Sequence, residues 1–193
     1  MPRPPDPRPD PRPLTGEPLS IDLLNTRWID AEGPHDLLDL PDGLTIWLAG
    51  DPQRIAFAGS AVTADARTRD QLLQARAALD TLAASPRPPF EEAARGPLSA
   101  VLAHGRVRHL LGEEGPRSVV EVDHPSWLPA WSAAENYLHL LGERPDRIRP
   151  CANPQCVLHF YDVSKNGTRR WCSMSGCGNR AKASRHYARH GQN

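Results

Sequence analysis

Apolar residues recur every three or four positions in several stretches of the chain, which is the spacing of amphipathic helices. The clearest stretch contains Leu72, Leu79 and Leu82, and Thr63 or Asp65 can serve as its N-cap. It ends before a Ser-Pro pair, which a helix does not readily continue through. The predicted helices are a short one within 37–49, a longer one from the Thr63 or Asp65 cap up to Ser85-Pro86, and two more over 90–104 and 125–142.

Shorter apolar runs predict extended segments. Residues 19–24 (LSIDLL) are interpreted as a strand or a buried extended segment. Residues 106–111 and 118–122 predict two strands joined by a Gly-rich connection. The pattern therefore predicts an α+β protein, with a mainly helical domain and a few short strands over 14–142. A separate small module follows over 143–193, of which 143–150 is interpreted as a short charged linker.

The N-terminal segment has a different composition. Residues 2–13 hold seven prolines in twelve positions, alternating with Arg or Asp, and no core-forming side chain. Such a segment resembles polyproline and does not bury apolar surface. We predict that residues 1–13 form a disordered tail.

All four cysteines lie near the C-terminus, in two C-x4-C knuckles: Cys151 with Cys156, and Cys172 with Cys177. Fifteen residues separate the knuckles, which lets four thiolates close around one ion in the tetrahedral geometry that zinc accepts. The alternatives are two disulfides, another metal such as an iron–sulfur cluster, or a zinc site that uses the second knuckle with two histidines, His186 and His190. The N-terminus lacks the apolar segment of a secretory signal, so a reducing cytoplasm is expected and zinc is favoured over disulfides.

The residues between the knuckles predict a β-hairpin. An apolar run over 157–163 leads to Asn166-Gly167, a dipeptide typical of a type I′ turn, and 168–171 would be the return strand. An Ala- and Arg-rich segment after Cys177 predicts a helix. Knuckle, hairpin, second knuckle and helix are the order of a treble-clef-like zinc finger.

Charge is distributed unevenly between the two parts. The formal net charge is +0, but residues 143–193 carry ten Lys/Arg against three Asp/Glu, a net +7, and residues 1–142 carry a net −7. The basic part is therefore expected to meet an anion. With 39% apolar residues and a mean hydropathy of −0.54, the chain has no apolar run long enough for a membrane-spanning helix.

Several motifs of the C-terminal module resemble the CGNR zinc-finger family. They are Arg149 to Cys156, Asn166-Gly167, Arg169 to Met174, Cys177 to Arg180, and the basic segment from Lys182 to Arg189. Residues 22–27 (DLLNTR) and the helix around Leu72–Leu82 are similar to the ABATE domain, the usual partner of that finger. The resemblance implies a bacterial stress-related transcription regulator that binds DNA.

The basic side chains of the predicted C-terminal helix lie on two different faces of the helix. At about 100° per residue, Lys182, Arg185 and Arg189 share one face, which suits phosphate contact. Arg180 lies on the other face, so we predict a structural role for it, through backbone carbonyls, Asp162 or Trp171. The alternative for the basic face is that it balances the negative charge of a zinc ion held by four thiolates.

Three further residues of the finger complete these predictions. Arg169 and Arg170 alternate on the predicted strand, so only one of them can face outward to DNA. Asn179 and Trp171 are assigned structural roles in the finger. If the finger does not bind DNA, it is a structural or protein-docking module.

The sequence contains no recognisable catalytic motif, so an enzyme is not predicted. Asn25, Arg27 and Arg76 are candidate ligand contacts of the N-terminal domain. For Asn25 and Thr26 the favoured interpretation is a turn whose side chains satisfy backbone groups. For Arg76 it is a paired or snorkelling side chain. The predicted partners are DNA, a small-molecule or protein effector and a second copy of the chain, with no membrane.

Overall fold

The computed structural model describes residues 9–50 and 62–183, which combine helices with short antiparallel strand pairs. The helices are longest where the sequence pattern is most clearly amphipathic. In chain order, the elements are α1 (Leu19–Leu24), β1 (Arg27–Asp30), β2 (Gly33–Asp36), α2 (Gly43–Ala49), α3 (Ala66–Ala83), α4 (Glu92–Leu102), β3 (Gly105–Gly112), β4 (Gly115–Val122), α5 (Leu128–Glu143), β5 (Ile148–Pro150) and β6 (His159–Tyr161).

The helices α3, α4 and α5 pack against one another and form the centre of the N-terminal domain. Leu72 and Leu79 of α3 are fully buried, as are Val101 of α4 and Tyr137 of α5. The carboxylate of Asp65 accepts a hydrogen bond from the Thr68 backbone N–H at 2.8 Å and caps α3. The predicted helices after the Thr63 or Asp65 cap, over 90–104 and over 125–142 are therefore confirmed to within a few residues, as is the short helix within 37–49.

Each strand pairs with one neighbour in an antiparallel two-stranded sheet. In the largest sheet, β3 pairs with β4 in a register that runs from Gly105 opposite Val122 to Gly112 opposite Gly115. These are the two strands that the sequence predicts over 106–111 and 118–122. The mixture of helices and short strands confirms the α+β class.

The segment over residues 19–24 was predicted to be extended, and this is wrong, because it forms helix α1. All six of its residues are buried. A helix that is buried on every side has no polar face, so its sequence shows no helical periodicity. The pattern alone does not separate such a helix from a buried strand.

Residues 9–13 of the N-terminal Pro-rich segment contact the folded domain. Arg12 is buried and donates hydrogen bonds to the carboxylate and the carbonyl of Asp22, both at 3.0 Å. It also pairs with Asp10 at 2.7 Å. The prediction of a disordered tail is therefore wrong for residues 9–13, because a buried ion pair fixes them to α1. Residues 1–8 lie outside the described part of the chain.

The hairpin of the C-terminal module surrounds the first cysteine knuckle instead of following it. Strand β5 lies just before Cys151 and pairs with β6, with Ile148 opposite Tyr161. The predicted linker 143–150 thus contributes a strand to the finger. Residues 168–171, predicted as a return strand, have no regular secondary structure.

The turn at Asn166-Gly167 also differs from the predicted type I′ geometry. Gly167 has a φ of 61° and donates its N–H to the Ser164 carbonyl at 3.1 Å, whereas Asn166 does not adopt a positive φ. A type I′ turn requires positive φ at both central residues. The turn is held from outside by two arginines: Arg147 donates to the Ser164 carbonyl at 2.6 Å and Arg149 to that of Gly167 at 2.9 Å.

The two parts of the chain share one hydrophobic core. Ile148 and Phe160 of the finger belong to the same cluster of buried side chains as the apolar residues of α1, α3 and α5. Among the described residues, no helix is both long and apolar enough to cross a membrane.

Candidate metal centre and its connection to the N-terminal domain

The four cysteines converge on one point of the finger. Their Sγ atoms all lie within 4.8 Å of one another, and those of Cys151, Cys172 and Cys177 belong to buried residues. The Sγ atoms of Cys156 and Cys172 are 3.8 Å apart. That distance is far longer than a disulfide bond, and it matches the edge of a tetrahedron with Zn–S bonds of about 2.3 Å. The sulfur positions fit one zinc ion, which uses all four cysteines.

Backbone hydrogen bonds hold the two knuckles in position. The Cys151 N–H donates to the Leu158 carbonyl at 2.9 Å, continuing the β5–β6 ladder beyond the strands. Ala152 donates to the Arg170 carbonyl at 2.8 Å and so joins the first knuckle to the chain that enters the second. The second knuckle is a single π-helical turn over Met174–Gly178. The sulfurs are therefore fixed by main-chain contacts on both sides of the site.

Several N–H groups point at the sulfurs. The Asn153 amide and the Arg180 guanidinium each donate to Cys177 Sγ at 3.3 Å, and the Cys172 backbone N–H donates to Cys151 Sγ at 3.4 Å. Four thiolates leave a zinc centre with a net charge of about −2, and such donors offset part of it. The guanidinium of Arg180 is thus bonded to Cys177, a partner other than the carbonyls, Asp162 or Trp171 that the sequence suggested, and the residue is exposed. Its predicted structural role stays a prediction.

Protonation of the thiols opposes metal binding. Burial raises the pKa of Cys151. The hydrogen bond between Cys156 and Cys172 raises the pKa of Cys172 and lowers that of Cys156, since one sulfur carries the shared proton. Zinc binding must displace the protons that Cys151 and Cys172 retain, so zinc affinity falls as the pH is lowered.

Arg169 is directed inward and connects the metal centre to the N-terminal domain. Its guanidinium donates to the Cys172 carbonyl at 2.6 Å and to the Glu17 carboxylate at 2.8 Å. The same group lies 4.2 Å from the ring centre of Phe160. These contacts direct Arg169 inward, so Arg170 is the one of the two arginines that faces outward.

Arg170 takes the opposite direction and is exposed. Its guanidinium carbon lies 5.3 Å from the ring centre of Trp171, which is half-buried. Both residues line a cleft of about 450 Å³ together with Arg180. Asn179 is exposed and makes a long contact, 3.5 Å, to the Ser175 carbonyl.

The predicted basic face is described only at its beginning. Lys182 is exposed on the helical residues 179–183 that follow the second knuckle. Arg185, Arg189, His186 and His190 lie outside the described residues, so their predicted roles stay predictions.

Asn25 joins the two parts of the chain. The residue is fully buried, and its amide nitrogen donates to the His159 carbonyl while its amide oxygen accepts from the His159 N–H, both at 2.9 Å. The carboxylate of Glu17 accepts from the Tyr161 N–H at 3.0 Å. One edge of β6 pairs with β5, and these two side chains satisfy the other edge. Asn25 therefore satisfies backbone groups as predicted, but those groups belong to the finger.

The other two candidate ligand contacts also have protein partners. Arg76 pairs with the Asp36 carboxylate at 2.6 Å and donates to the Thr26 hydroxyl at 2.6 Å. Arg27 forms an ion pair with Asp80. The favoured interpretation of Arg76 as a paired arginine is confirmed, and a ligand contact by any of the three stays an untested prediction.

The sequence analysis assigned no role to Glu17 or Asn153, and it named Asp162 only as a possible partner of Arg180. Asp162 has a fully buried side chain, accepts hydrogen bonds from Ser164 and the Arg169 N–H, and lies 3.4 Å from Arg149. Burial alone would raise its pKa, but the hydrogen bonds from Ser164 and Arg169 lower it overall. An acidic residue inside a basic module was the available signal for Asp162. Glu17 and Asn153 had no such signal.

These features define the class of the protein: a four-cysteine zinc finger packed against a mainly helical domain. The CGNR zinc finger matches residues 147–190. The ABATE family, described as "Putative stress-induced transcription regulator", matches residues 17–144. The chain belongs to the ABATE family and carries a CGNR zinc finger. No curated protein matches it.

Proposed function

We propose that this protein is a cytoplasmic, DNA-binding transcription regulator without enzymatic activity, in which the zinc finger contacts DNA and the N-terminal domain receives a stress-related signal. The observation that carries the proposal is the charge of the finger. Residues 163–193 contain seven Lys/Arg and no Asp/Glu. Duplex DNA offers a dense row of phosphates, and such a surface gains affinity by releasing their counterions.

Counter-charge for the zinc centre accounts for only part of this surface. Arg180 bonds a zinc-ligating sulfur, so its charge serves the metal site. Arg170 and Lys182 are exposed, and within 9–50 and 62–183 neither pairs with a carboxylate. These two cations are free to contact phosphates, and the ring of Trp171 beside Arg170 offers a flat surface that a base or sugar can contact. One finger covers few base pairs, so we propose that a homodimer binds.

The test is DNA binding by the zinc-loaded full chain. Fluorescence anisotropy with a pool of random duplexes should give affinity that falls steeply with salt. The double variant Arg170→Ala/Lys182→Ala should bind more weakly. Its slope of log affinity against log salt should shrink by about 0.9 for each phosphate that the variant no longer neutralises.

The control removes the same charge elsewhere. Arg67 and Arg117 are exposed on the N-terminal domain, and the double variant Arg67→Ala/Arg117→Ala should keep wild-type DNA affinity. Equal losses of DNA affinity in both double variants would mean that only the net charge of the protein matters, not the position of Arg170 and Lys182. An absence of salt-dependent binding would mean that the protein does not bind DNA. In either case a finger that docks on a partner protein becomes the favoured function.

A further inference from the structure

A cleft of about 670 Å³ lies between the N-terminal domain and the finger. Its walls come from the segment before and at the start of α1, from the β3–β4 hairpin, from α5 and from the chain after β6. Most of its surface is apolar. The lining residues that matter below are Val107, Val120, Trp131, Ser132, Glu135 and Asn136 of the N-terminal domain, with Val163 of the finger.

The cleft has a firm base. Trp131 is buried and donates its indole N–H to the Leu102 carbonyl at 3.1 Å. Gly105 of β3 lies directly on the Trp131 ring, since a Cβ there would be 2.6 Å from two ring atoms. The hairpin is thus packed closely against α5. The volume of the cleft is within the range of small-molecule sites, and its base consists of packed side chains. Both features indicate a preformed pocket.

Three polar side chains of α5 lie on the same side of the cleft. Ser132, Glu135 and Asn136 are spaced i, i+3 and i+4, which places them on one helix face. The Ser132 hydroxyl is buried and has no hydrogen-bond partner among the described residues. A buried hydroxyl without a partner costs free energy, which a bound ligand would recover.

Glu135 and Asn136 have unused hydrogen-bonding capacity. The Asn136 oxygen accepts from the backbone N–H and the hydroxyl of Ser20, at 3.0 and 2.8 Å. Its amide nitrogen has no partner in the described part of the chain. The exposed Glu135 carboxylate is likewise unpaired there, and it is the one charged side chain among the described lining residues.

We propose that this cleft binds a small amphipathic amine, with the ammonium group paired to Glu135 and the apolar body against Val107, Val120 and Trp131. Charge complementarity carries the choice of a cation, because the described lining contains one carboxylate and no basic residue. Ser132 and Asn136 supply hydrogen bonds beside the ammonium. Val163 belongs to the finger, so a bound ligand contacts both parts of the protein.

The experiment measures binding to zinc-loaded full-length protein without DNA, so its outcome is independent of the proposed function. Three probes of the same shape are compared by saturation-transfer NMR titration: 2-phenylethylamine, 3-phenylpropionate and 2-phenylethanol. The amine should bind most tightly. Glu135→Gln should weaken amine binding by about tenfold, the equivalent of about 1.4 kcal/mol. Glu32→Gln, an exposed carboxylate in the β1–β2 turn, should not change amine binding.

A second variant tests the location without touching the core. Val163 is 81% exposed, so Val163→Trp should fold normally while its ring obstructs the cleft. It should reduce amine binding, and near-ultraviolet circular dichroism checks the fold. Equal binding of the three probes, no binding of the amine, or an unchanged affinity in Glu135→Gln would overturn the proposal. Sedimentation showing a dimer that Val163→Trp dissociates would assign the cleft to a second copy instead.

Discussion

Asn25 is the residue on which the contact between the two parts of the protein most depends. Its fully buried side chain satisfies both the N–H and the carbonyl of His159. An Asn25→Leu substitution keeps a side chain of similar size but leaves the N–H and the carbonyl of His159, both shielded by Asn25, without these partners. We expect the free energy of unfolding to fall by about 2–4 kcal/mol.

Urea denaturation of the zinc-loaded protein measures this change. The matched control is Asn179→Ala, because Asn179 is exposed and its contact is long, and it should shift stability by less than about 0.5 kcal/mol. If Asn25→Leu is as stable as the control, solvent reaches the His159 backbone, and the Asn25 amide is not the main contact between the N-terminal domain and the finger.

Asn153 provides a second prediction at the scale of single residues. Its amide donates to Cys177 Sγ, and hydrogen bonds to a metal ligand stabilise the charged form and fix its orientation. We expect Asn153→Ala to reduce zinc affinity by about 10–100-fold. Competition with a chromophoric chelator measures the affinity.

Gln155 supplies the control for Asn153. It is an exposed amide two residues further along the same knuckle, and its side chain makes no described contact with a sulfur. Gln155→Ala should keep wild-type zinc affinity. Equal affinities for the two variants would mean that the Asn153 hydrogen bond does not tune the metal site.

Gly105 determines how closely the β3–β4 hairpin approaches α5. A methyl group at this position would overlap the Trp131 ring. We expect Gly105→Ala to lower the free energy of unfolding by about 1–3 kcal/mol, because either the hairpin or the indole must move.

A second glycine, in the helix that the hairpin packs against, gives the opposite expectation. Gly142 lies in α5 with open space around its Cβ position, so Gly142→Ala should stabilise the protein by up to about 1 kcal/mol through helix propensity. Thermal unfolding compares the two variants. Similar effects of both substitutions on stability would show that the hairpin or the Trp131 ring can move to accommodate a methyl group at position 105 without loss of stability.

The elements also show which parts of the fold a sequence pattern can predict. Helices α3 and α5 were predictable because one face of each is apolar, whereas α1 was not because all of it is buried. The hairpin of the finger was misplaced because Asn166-Gly167 is a strong local signal for a turn. The true partner of β6 is β5, only three residues long and on the other side of Cys151.

For the metal centre, sequence information was sufficient because ligand type and spacing are local properties. The contacts between the two parts were not predictable in the same way. Asn25 and His159 are 134 positions apart, and the groups contacted on His159 are main-chain atoms that every residue possesses. No composition or spacing rule points to such a pair.

At the scale of the whole molecule, the shared core and the contacts on β6 predict that metal loss reaches the N-terminal domain. Removing zinc frees four thiolates or thiols and withdraws the folding energy that the ion supplies to the finger. Because Asn25 and Glu17 are bonded to β6, we expect α1 to lose amide protection together with the finger.

Hydrogen exchange with mass spectrometry, before and after chelation, measures this effect. Helix α4, which packs against α3 and α5, serves as the internal reference and should change least. The zinc-free variant Cys172→Ser should reproduce the result without a chelator. Unchanged protection of α1 in both experiments would mean that the N-terminal domain is stable without the finger.

The bond between Asn25 and His159 has a consequence for comparing relatives of this protein. Asn25 contacts the backbone N–H and carbonyl of His159, which every amino acid provides. Position 159 can therefore be occupied by many different amino acids while the contact persists. Position 25 has less freedom, because its side chain must present a donor to the carbonyl and an acceptor to the N–H at the same time, as an amide does. Paired substitutions at positions 25 and 159 are therefore not expected. Methods that detect contacts from correlated variation would miss this contact between the N-terminal domain and the finger.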